Sequence, residues 1–389
     1  MKILIIHNNY GAYSGEEAVV DKQIALFWEL AHDVMVYRKT SENIRNTIKG
    51  NISGLIQGFY SASSVKDIKA ILKNDLPDIV IIHNLYPFIS PAILKPIKNK
   101  KVPIIMVVHN YRLICPTGLF LQKGVPCELC LNGTEWNCIK YNCEHSLLKS
   151  IGYASRNWYA RKSKAYINNV SIYACLTGFQ AEKLIQAGYS SSSIRILPNF
   201  IDMPGNFSSE KGDYAFISGR ISREKGTDSI INVARKTPDI KYVFAGTIKP
   251  EDKLNENLPG NCIFVGHLSG KELTEKYKNA RFLLTASRSY EGFPMTILEA
   301  SLYAKPTIAP AQGAFLDIVD NDTTGLLFVP SNESDLKLKI EQLWNNPDQA
   351  IQFGLNAYQK MKTHYSKEVM KDKWEQLLEE TISKKAETD

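Results

Sequence analysis

The stretch that decides the fold is RFLLTASRSYEGFPMTILEAS, residues 281–301. It opens with a short apolar run, continues as a polar loop over 287–293, and then resumes an apolar pattern. Pro294 suits the first turn of a helix, because the amide proton that proline lacks is not needed there. Parallel sheets bind ligands where a strand's carboxyl end leads into such a loop and helix. The stretch therefore predicts a strand, a ligand-binding loop and a helix.

The same alternation of apolar runs and amphipathic segments recurs throughout the chain, and it is typical of a parallel sheet covered by helices. In the first half the apolar runs are 3–6, 34–37, 79–82, 104–108, 171–177 and 194–202, with a predicted helix at 146–168. In the second half they are 214–218, 242–245, 263–265, 282–285 and 307–309. Because 389 residues exceed one compact core, we predict an α/β fold of two doubly wound, Rossmann-like domains.

A stretch rich in Gly, Pro and Ser, residues 203–211, reads as a linker between the halves. We place the first domain at 1–200, with a cysteine-rich insertion at 115–145, and the second at 201–365. The last segment, 366–389, is predicted to be a helix that returns to the first domain. It would dock by one apolar face, made of Val369, Trp374, Leu377 and Leu378.

Composition restricts the class of protein without deciding its function. The first apolar run, 3–6, is shorter than that of a signal peptide, and no stretch of about 18 apolar residues follows it. We therefore expect a cytoplasmic protein. The net charge of +7, from 47 basic and 40 acidic residues, suits phosphate-bearing ligands, an anionic membrane surface or simple solubility.

Two acids flank the predicted helix start. Glu291 lies on the loop and Glu299 about one and a half turns into the helix, so they do not share one helical face. A carboxylate can accept two hydroxyl hydrogen bonds from a sugar or ribose, and the helix N-terminus between the acids can hold a phosphate. The alternative is a loop acid and a helix acid without a ligand, since Glu is a common helix residue.

Two cations follow an earlier predicted strand, in FISGRISREKGTDSI at 216–230. Arg220 offers a planar fork of donors and Lys225 a point charge, beside a loop that enters a helix. Such a pair can clamp a diphosphate. A solvated basic loop is the alternative reading of this segment.

Together with FAGT at 244–247, LPNFID at 197–202 and AQGAFLDIVDNDTTGLLF at 311–328, these segments resemble the retaining glycosyltransferases of family four, which use nucleotide sugars. The resemblance covers most of the chain. It implies the GT-B fold, in which the two domains face each other across a cleft. It also implies transfer of a sugar from a UDP- or GDP-linked donor to a glycan or lipid-linked acceptor, in the synthesis of a bacterial surface polysaccharide such as lipopolysaccharide or capsule.

The resemblance also implies roles for individual residues. Arg220 and Lys225 would hold the donor diphosphate and stabilise the leaving group, Glu291 would contact the donor sugar, and His109, at the end of a predicted strand, would lie near that sugar. The donor-binding set would comprise Gly15, Gly219, Gly246, Ser287, Gly292, Phe293, Pro294, Met295, Thr296 and Glu299, with Glu299 on the ribose. Pro294 stands where many relatives have glycine, so one backbone donor is lost.

This catalytic scheme requires no metal cofactor. The acidic pair Asp320 and Asp322 precedes TTGLLF and is typical of a turn.

In the first domain, Ser14 replaces the usual second glycine beside Gly15, and the spacing from Gly11 does not match the dinucleotide fingerprint. A nicotinamide enzyme is therefore disfavoured.

The cysteine-rich insertion contains a Cys-x2-Cys pair followed by two further cysteines. This pattern is compatible with structural zinc, and the ligands would be Cys127, Cys130, Cys138 and Cys143. Free thiols and disulfides are the alternatives.

The segment 146–167 mixes apolar and aromatic residues with lysines and arginines. It can form a helix that lies peripherally on the cytoplasmic face of an anionic inner membrane. A helix that packs on the core with a solvated edge is the alternative.

Two other functions are alternatives to glycosyl transfer. A nucleotide-sugar epimerase or a phosphorylase can be built on the same fold. A zinc-stabilised module that binds nucleic acid is disfavoured, because the positive residues form no dense tract and the acids at 291 and 299 would repel a phosphate backbone. We therefore expect no nucleic-acid partner.

Overall fold

The computed structural model describes residues 1–9, 14–40, 54, 56–203, 211–248, 252 and 257–386. Gly11 and nearly all of the predicted linker at 203–211 lie outside the described residues. Contacts divide the chain into two compact units. The first unit comprises Met1–Phe120, Cys127–Asn199 and Met370–Asp389, and the second comprises Leu121–Pro126 and Phe200–Val369.

The first unit contains a six-stranded parallel sheet in the order β2-β1-β3-β4-β7-β8. Its strands are β1 (Lys2–Asn9), β2 (Asp33–Thr40), β3 (Ile79–Asn84), β4 (Ile104–Val108), β7 (Ile172–Cys175) and β8 (Ile194–Ile196). Its helices are α1 (Gly15–Glu29), α2 (Ala62–Asn74), α3 (Leu94–Asn99), α4 (Trp136–Lys140), α5 (Leu147–Lys162) and α6 (Gly178–Gln186), with short 3-10 turns at Pro91–Ile93 and Ser191–Ser193.

The second unit contains another six-stranded parallel sheet, in the order β11-β10-β9-β12-β13-β14. Its strands are β9 (Ala215–Ser218), β10 (Tyr242–Ala245), β11 (Cys262–Gly266), β12 (Phe282–Leu284), β13 (Thr307–Pro310) and β14 (Gly325–Phe328), and a small antiparallel pair joins β5 (Leu121–Gln122) to β6 (Val125–Pro126). Its helices are α7 (Thr227–Arg235), α8 (Gly270–Lys278), α9 (Met295–Leu302), α10 (Phe315–Ile318), α11 (Glu333–Asn345) and α12 (Pro347–His364), and α13 (Lys367–Ala386) runs from it into the first unit. No helix in the described ranges is both long and apolar enough to cross a membrane.

The predicted α/β fold with two doubly wound parallel sheets is confirmed. The central strands contain continuous apolar runs because helices cover both sheet faces, and every residue of β3 and β4 is buried. The helix predicted at 146–168 ends at Lys162, and turns follow it. Lys164 adopts a left-handed backbone conformation, with φ of +52°, which is incompatible with a continuing helix.

The strand order reverses once in each sheet, between β1 and β3 and between β9 and β12. In the second unit Ala215 pairs with Phe282 and Phe216 with Leu283, in parallel register. The loops that follow β9 and β12 therefore start side by side at the carboxyl edge of the sheet. From there they lead to opposite faces of the sheet. Such a reversal leaves a crevice at the carboxyl ends of the strands.

The C-terminal helix α13 docks on the first unit by an apolar face. Trp374, Leu377 and Leu378 are buried, together with Met370, while Val369 is half-buried. The Trp374 ring meets Phe27 of α1 edge to face, with ring centroids 5.4 Å apart.

Truncating Trp374 should destabilise the first unit. Trp374→Ala removes a buried aromatic side chain and leaves a cavity beside Phe27, so we expect a loss of about 3–5 kcal/mol in the free energy of unfolding. Trp28→Ala, on α1 but 60% exposed, is the matched control and should change it by less than about 0.5 kcal/mol. Urea unfolding measures both, and equal effects would contradict the docking.

Candidate functional site

An ion pair joins the loop after β9 to the loop after β12. Lys225 Nζ lies 2.5 Å from Glu291 Oε1, and the Ser287 hydroxyl donates to the same carboxylate oxygen at 2.6 Å. The amide of Gln312 donates to the Ser287 carbonyl at 2.8 Å. The crevice of the second unit therefore holds a fixed cation and a fixed carboxylate side by side.

The surroundings of Glu291 keep its carboxyl group ionised. Burial by itself raises its pKa, but the charge and hydrogen bond of Lys225, the Ser287 hydroxyl and the charge of Arg220 together lower the pKa below its ordinary value. At neutral pH the carboxylate can accept hydrogen bonds and cannot act as a proton donor. This protonation state favours a role in ligand binding over one in general acid catalysis.

A second ion pair lies in the same loop. Arg220 Nη2 is 3.2 Å from Glu224 Oε1, and Ser289 donates to that oxygen at 3.4 Å. The side chain of Arg220 is 44% exposed, so a ligand can reach it. Sequence reasoning missed Glu224 as a member of the site, although it stands directly before Lys225 in the same motif.

Two glycines allow the loops to approach each other. A Cβ atom on Gly226 would lie 2.0 Å from the carbonyl oxygen of Ala286, and one on Gly246 would lie 1.7 Å from that of Gly219. Gly226 also has a φ of +70°, a conformation that glycine adopts without strain. A larger residue at Gly226 would push the cations of the β9 loop away from the β12 loop, and one at Gly246 would displace the β9 loop from the end of β10.

Glu299 is held by a buried phenol. The Tyr277 hydroxyl on α8 donates to Glu299 Oε2 at 2.6 Å, and Ser218 hydrogen-bonds the same phenol. Burial, followed by the charge of Glu299, raises the pKa of Tyr277, so the hydroxyl stays protonated and keeps donating. Sequence reasoning missed Tyr277 because it reads as an ordinary apolar position of an amphipathic helix.

The start of helix α9 differs slightly from the prediction. Pro294 is the residue before the first helical residue and not part of the first turn. Its carbonyl accepts from the Ile297 amide at 3.1 Å, and no described side chain caps the helix. The amides of Met295 and Thr296 therefore lie in the first turn of the helix, where N–H groups lack intrahelical partners. Just before the helix, the Phe293 ring packs against that of Tyr365, with ring centroids 5.7 Å apart.

In the first unit, three histidines meet at the carboxyl edge of the sheet: His7 and His83 are buried, and His109 is half-buried. His83 Nδ1 lies 2.8 Å from His109 Nε2, and the two rings stack. The His7 ring, at the end of β1, lies edge-on to His83 with centroids 6.2 Å apart. Neither ring nitrogen of His7 has a hydrogen-bond partner among the described residues.

Burial keeps these histidines neutral. It lowers the pKa of His7 to about 4, with help from the charge of Arg38, and that of His109 to about 3. It also lowers the pKa of His83. The sequence indicated His109; His7 was missed, although it also lies near the carboxyl end of a strand.

Gly15 begins helix α1, and the space around it is open: no atom lies within 4 Å of the position a Cβ would occupy. Ser14 forms a capping box with Glu17, since its hydroxyl accepts from the Glu17 amide at 3.3 Å and its own amide donates to the Glu17 carboxylate at 2.6 Å. Ser14, which stands where the family has its second glycine, is therefore the N-cap of α1.

The structure places the predicted site residues in two groups. Gly15 and His109 belong to the first unit. The second unit brings together the others at the carboxyl ends of β9, β10 and β12: Gly219, Arg220, Lys225, Gly246, Ser287, Glu291, Gly292, Phe293, Pro294, Met295, Thr296 and Glu299. Their roles in binding or catalysis stay predictions.

The cysteines of the insertion are unbridged thiols. Within the described residues no group of three or more His, Cys, Asp or Glu side chains is arranged to hold a metal ion. The geometry therefore does not support the zinc site predicted at the four cysteines. Cys138 instead hydrogen-bonds Cys143, which lowers the pKa of Cys143 to about 7 and raises that of Cys138. Burial raises the pKa of Cys130 to about 12.

Two family descriptions match consecutive parts of the chain. Residues 27–203 match "Glycosyltransferase Family 4", and residues 200–360 match "Glycosyl transferases group 1". The match thus spans both units and includes the ion-paired crevice. The chain is a glycosyltransferase of the GT-B type.

Three known proteins show how far the similarity of this glycosyltransferase extends. An uncharacterised glycosyltransferase of Methanocaldococcus jannaschii is 25% identical over 92% of both chains. The poly(ribitol-phosphate) alpha-N-acetylglucosaminyltransferase of Staphylococcus aureus is 28% identical over 55% of this chain and 46% of its own. The crystal structure of Anabaena HepE with UDP and glucose has a TM-score of 0.68 at 14% identity, covering 98% of this chain and all of that one, which shows a shared fold. The two family matches and the two glycosyltransferase relatives favour glycosyl transfer over the epimerase or phosphorylase alternative.

The neutral histidines should make the glycosyltransferase lose stability in mild acid. Between a pKa of about 6.5 in the unfolded chain and about 4 for folded His7, the unfolded state binds more protons, so stability falls as the pH decreases. We expect His7→Asn to reduce the loss between pH 6.5 and pH 5.5 by about 1 kcal/mol.

Urea unfolding at the two pH values measures this difference. His267→Asn, at an exposed histidine of the second unit, is the control and should leave the pH dependence unchanged. An unaltered pH dependence in His7→Asn would show that His7 titrates alike in the folded and unfolded states.

Proposed function

We propose that this glycosyltransferase moves a sugar, with retention of anomeric configuration, from a nucleotide-diphosphate donor to a glycan or lipid-linked saccharide of a cell-surface polysaccharide. The observation that carries the proposal is the pair of cations, Arg220 and Lys225, held beside Glu291 where the strand order reverses between β9 and β12. A reversal of this kind is the general ligand site of open α/β sheets.

The cations suit the departing diphosphate. In glycosyl transfer the sugar develops oxocarbenium character while negative charge grows on the leaving group, and fixed positive groups stabilise that charge. Arg220 can bind two phosphate oxygens through its fork, and Lys225 supplies a point charge. The amides at the start of α9 add a partial positive charge. HepE, which shares the fold, was solved with UDP, and this supports a nucleotide diphosphate as the donor.

Donor binding would exchange the internal partners of these cations for phosphate oxygens. Glu224 and Glu291 neutralise Arg220 and Lys225 in the structure. When the diphosphate takes over Lys225, the ionised Glu291 becomes available to accept hydrogen bonds from sugar hydroxyls.

The remaining acid suits the ribose. Tyr277 occupies one oxygen of Glu299, Oε2, and thereby fixes the direction of the carboxylate. The other oxygen can accept from a ribose hydroxyl. In the first unit His83 engages Nε2 of His109 and orients that ring, which supports a positioning role for His109 toward the sugar or the acceptor.

The acceptor class rests on the similarity to surface-polymer enzymes. The Staphylococcus aureus relative acts, by its name, on poly(ribitol-phosphate). Thermal-shift screening of UDP- and GDP-sugars would find the donor, and the anomeric configuration of the product, read by NMR, would test retention.

Lys225→Ala should lower the turnover of the donor found in this way by about 100-fold or more, because a fixed charge at the leaving group is lost. Lys236→Ala, which removes an exposed lysine from the same unit, is the matched control and should leave turnover unchanged. Steady-state assays with acceptor measure both. Conversion of the donor sugar to an epimer without any acceptor would contradict transfer.

Tyr277→Phe should weaken nucleotide binding by about tenfold, because Glu299 loses the hydrogen bond that directs it. Tyr214→Phe removes a hydroxyl of the same kind from a buried tyrosine of the same unit, one that donates to the Lys276 carbonyl, and serves as the control. Isothermal titration calorimetry with the nucleoside diphosphate measures both. Equal losses in the two variants would refute a specific role for Tyr277.

A further inference from the structure

Helix α5 of the first unit exposes an apolar face. Its buried side consists of Ser150, Ala154, Arg156, Asn157 and Ala160. Its outer side consists of large apolar and aromatic residues that are 41–65% exposed: Leu147, Leu148, Ile151, Trp158 and Tyr159. An amphipathic helix of a globular protein normally has the reverse arrangement, with its large apolar residues toward the core.

The exposed apolar surface continues onto the neighbouring segment 56–60. The ring of Phe59 meets that of Tyr159 with centroids 6.1 Å apart. Next to it, Ile56 is 64% exposed and Tyr60 57% exposed. Apolar side chains from two separate segments thus form one patch, and contiguous patches of this kind mark interaction surfaces.

Positive charge surrounds this patch. Residues 136–168 contain six basic residues and one acidic residue, Glu144. Arg161 is committed to an ion pair with Glu135 and Arg156 is buried. Lys149, Lys162 and Lys164 are exposed on or next to the helix.

We propose that this α5 face, with its lysine rim, binds the surface of an anionic lipid bilayer. Aromatic and aliphatic side chains enter the interface between headgroups and acyl chains, while lysines attract anionic headgroups and can extend toward them. The near absence of acids in 136–168 matches a negatively charged partner. Binding at this face needs neither donor nor acceptor, so it stands apart from the proposed transfer.

Sedimentation with sucrose-loaded vesicles tests the proposal on the full chain. We expect binding to vesicles of phosphatidylglycerol and phosphatidylcholine, and much weaker binding to phosphatidylcholine alone. Replacing Lys149, Lys162 and Lys164 by glutamine should weaken binding to the anionic vesicles by about 100-fold, since each basic residue near such a surface strengthens binding about fivefold.

The apolar contribution is tested separately. Leu148→Ser combined with Trp158→Ser should weaken binding to the anionic vesicles by about tenfold or more. Trp28→Ser removes an exposed tryptophan from α1 of the same unit, one that is 60% exposed against 42% for Trp158, and should bind like the unaltered chain. Nucleotide binding without vesicles, measured on the same samples, checks that each variant is folded and that the donor site is intact.

Three outcomes would overturn the proposal. The first is a lack of binding to anionic vesicles by the unaltered chain. The second is equal binding by the unaltered chain and the Leu148→Ser, Trp158→Ser variant. The third is a dimer in solution that dissociates when these two residues are replaced and does not bind vesicles, since the face would then be an interface between copies of the chain.

Discussion

Backbone packs directly on backbone where β9, β10 and β12 end, and the rest of the crevice in the second unit depends on that contact. There is no room for a methyl group between Gly246 and the Gly219 carbonyl, or between Gly226 and the Ala286 carbonyl. The β9 loop therefore lies close against its neighbours on both sides. Because the β9 and β12 loops lie this close together, the side chains of Lys225 and Glu291 can form an ion pair between them.

The electrostatics of the crevice follow from that proximity. A lysine and a glutamate 66 residues apart in sequence are brought to 2.5 Å, and a serine hydroxyl fixes the carboxylate from another side. Each charge offsets the cost of removing the other from water. The cation can thus stay ordered although it is partly buried.

The sequence predicted what depends on local pattern. Alternating apolar runs indicated both sheets, and the motifs around Arg220 and Glu291 indicated the loops that leave β9 and β12. It could not reveal partners supplied by packing. Tyr277 reaches Glu299 from a different helix, and His7 joins His83 and His109 only because β1, β3 and β4 are neighbours in the sheet. The cysteine spacing allowed zinc, thiols or disulfides, because spacing alone does not determine where the sulfur atoms point.

The pairing of Lys225 with Glu291 has a consequence for how this chain can change over evolution. Loss of the lysine alone leaves a partly buried carboxylate without its cation, and loss of the glutamate alone leaves the ammonium group without its carboxylate. Either single step carries a cost that the second step can partly remove. The two positions should therefore covary among relatives, and a replacement of Glu291 would require a compensating change in the loop after β9.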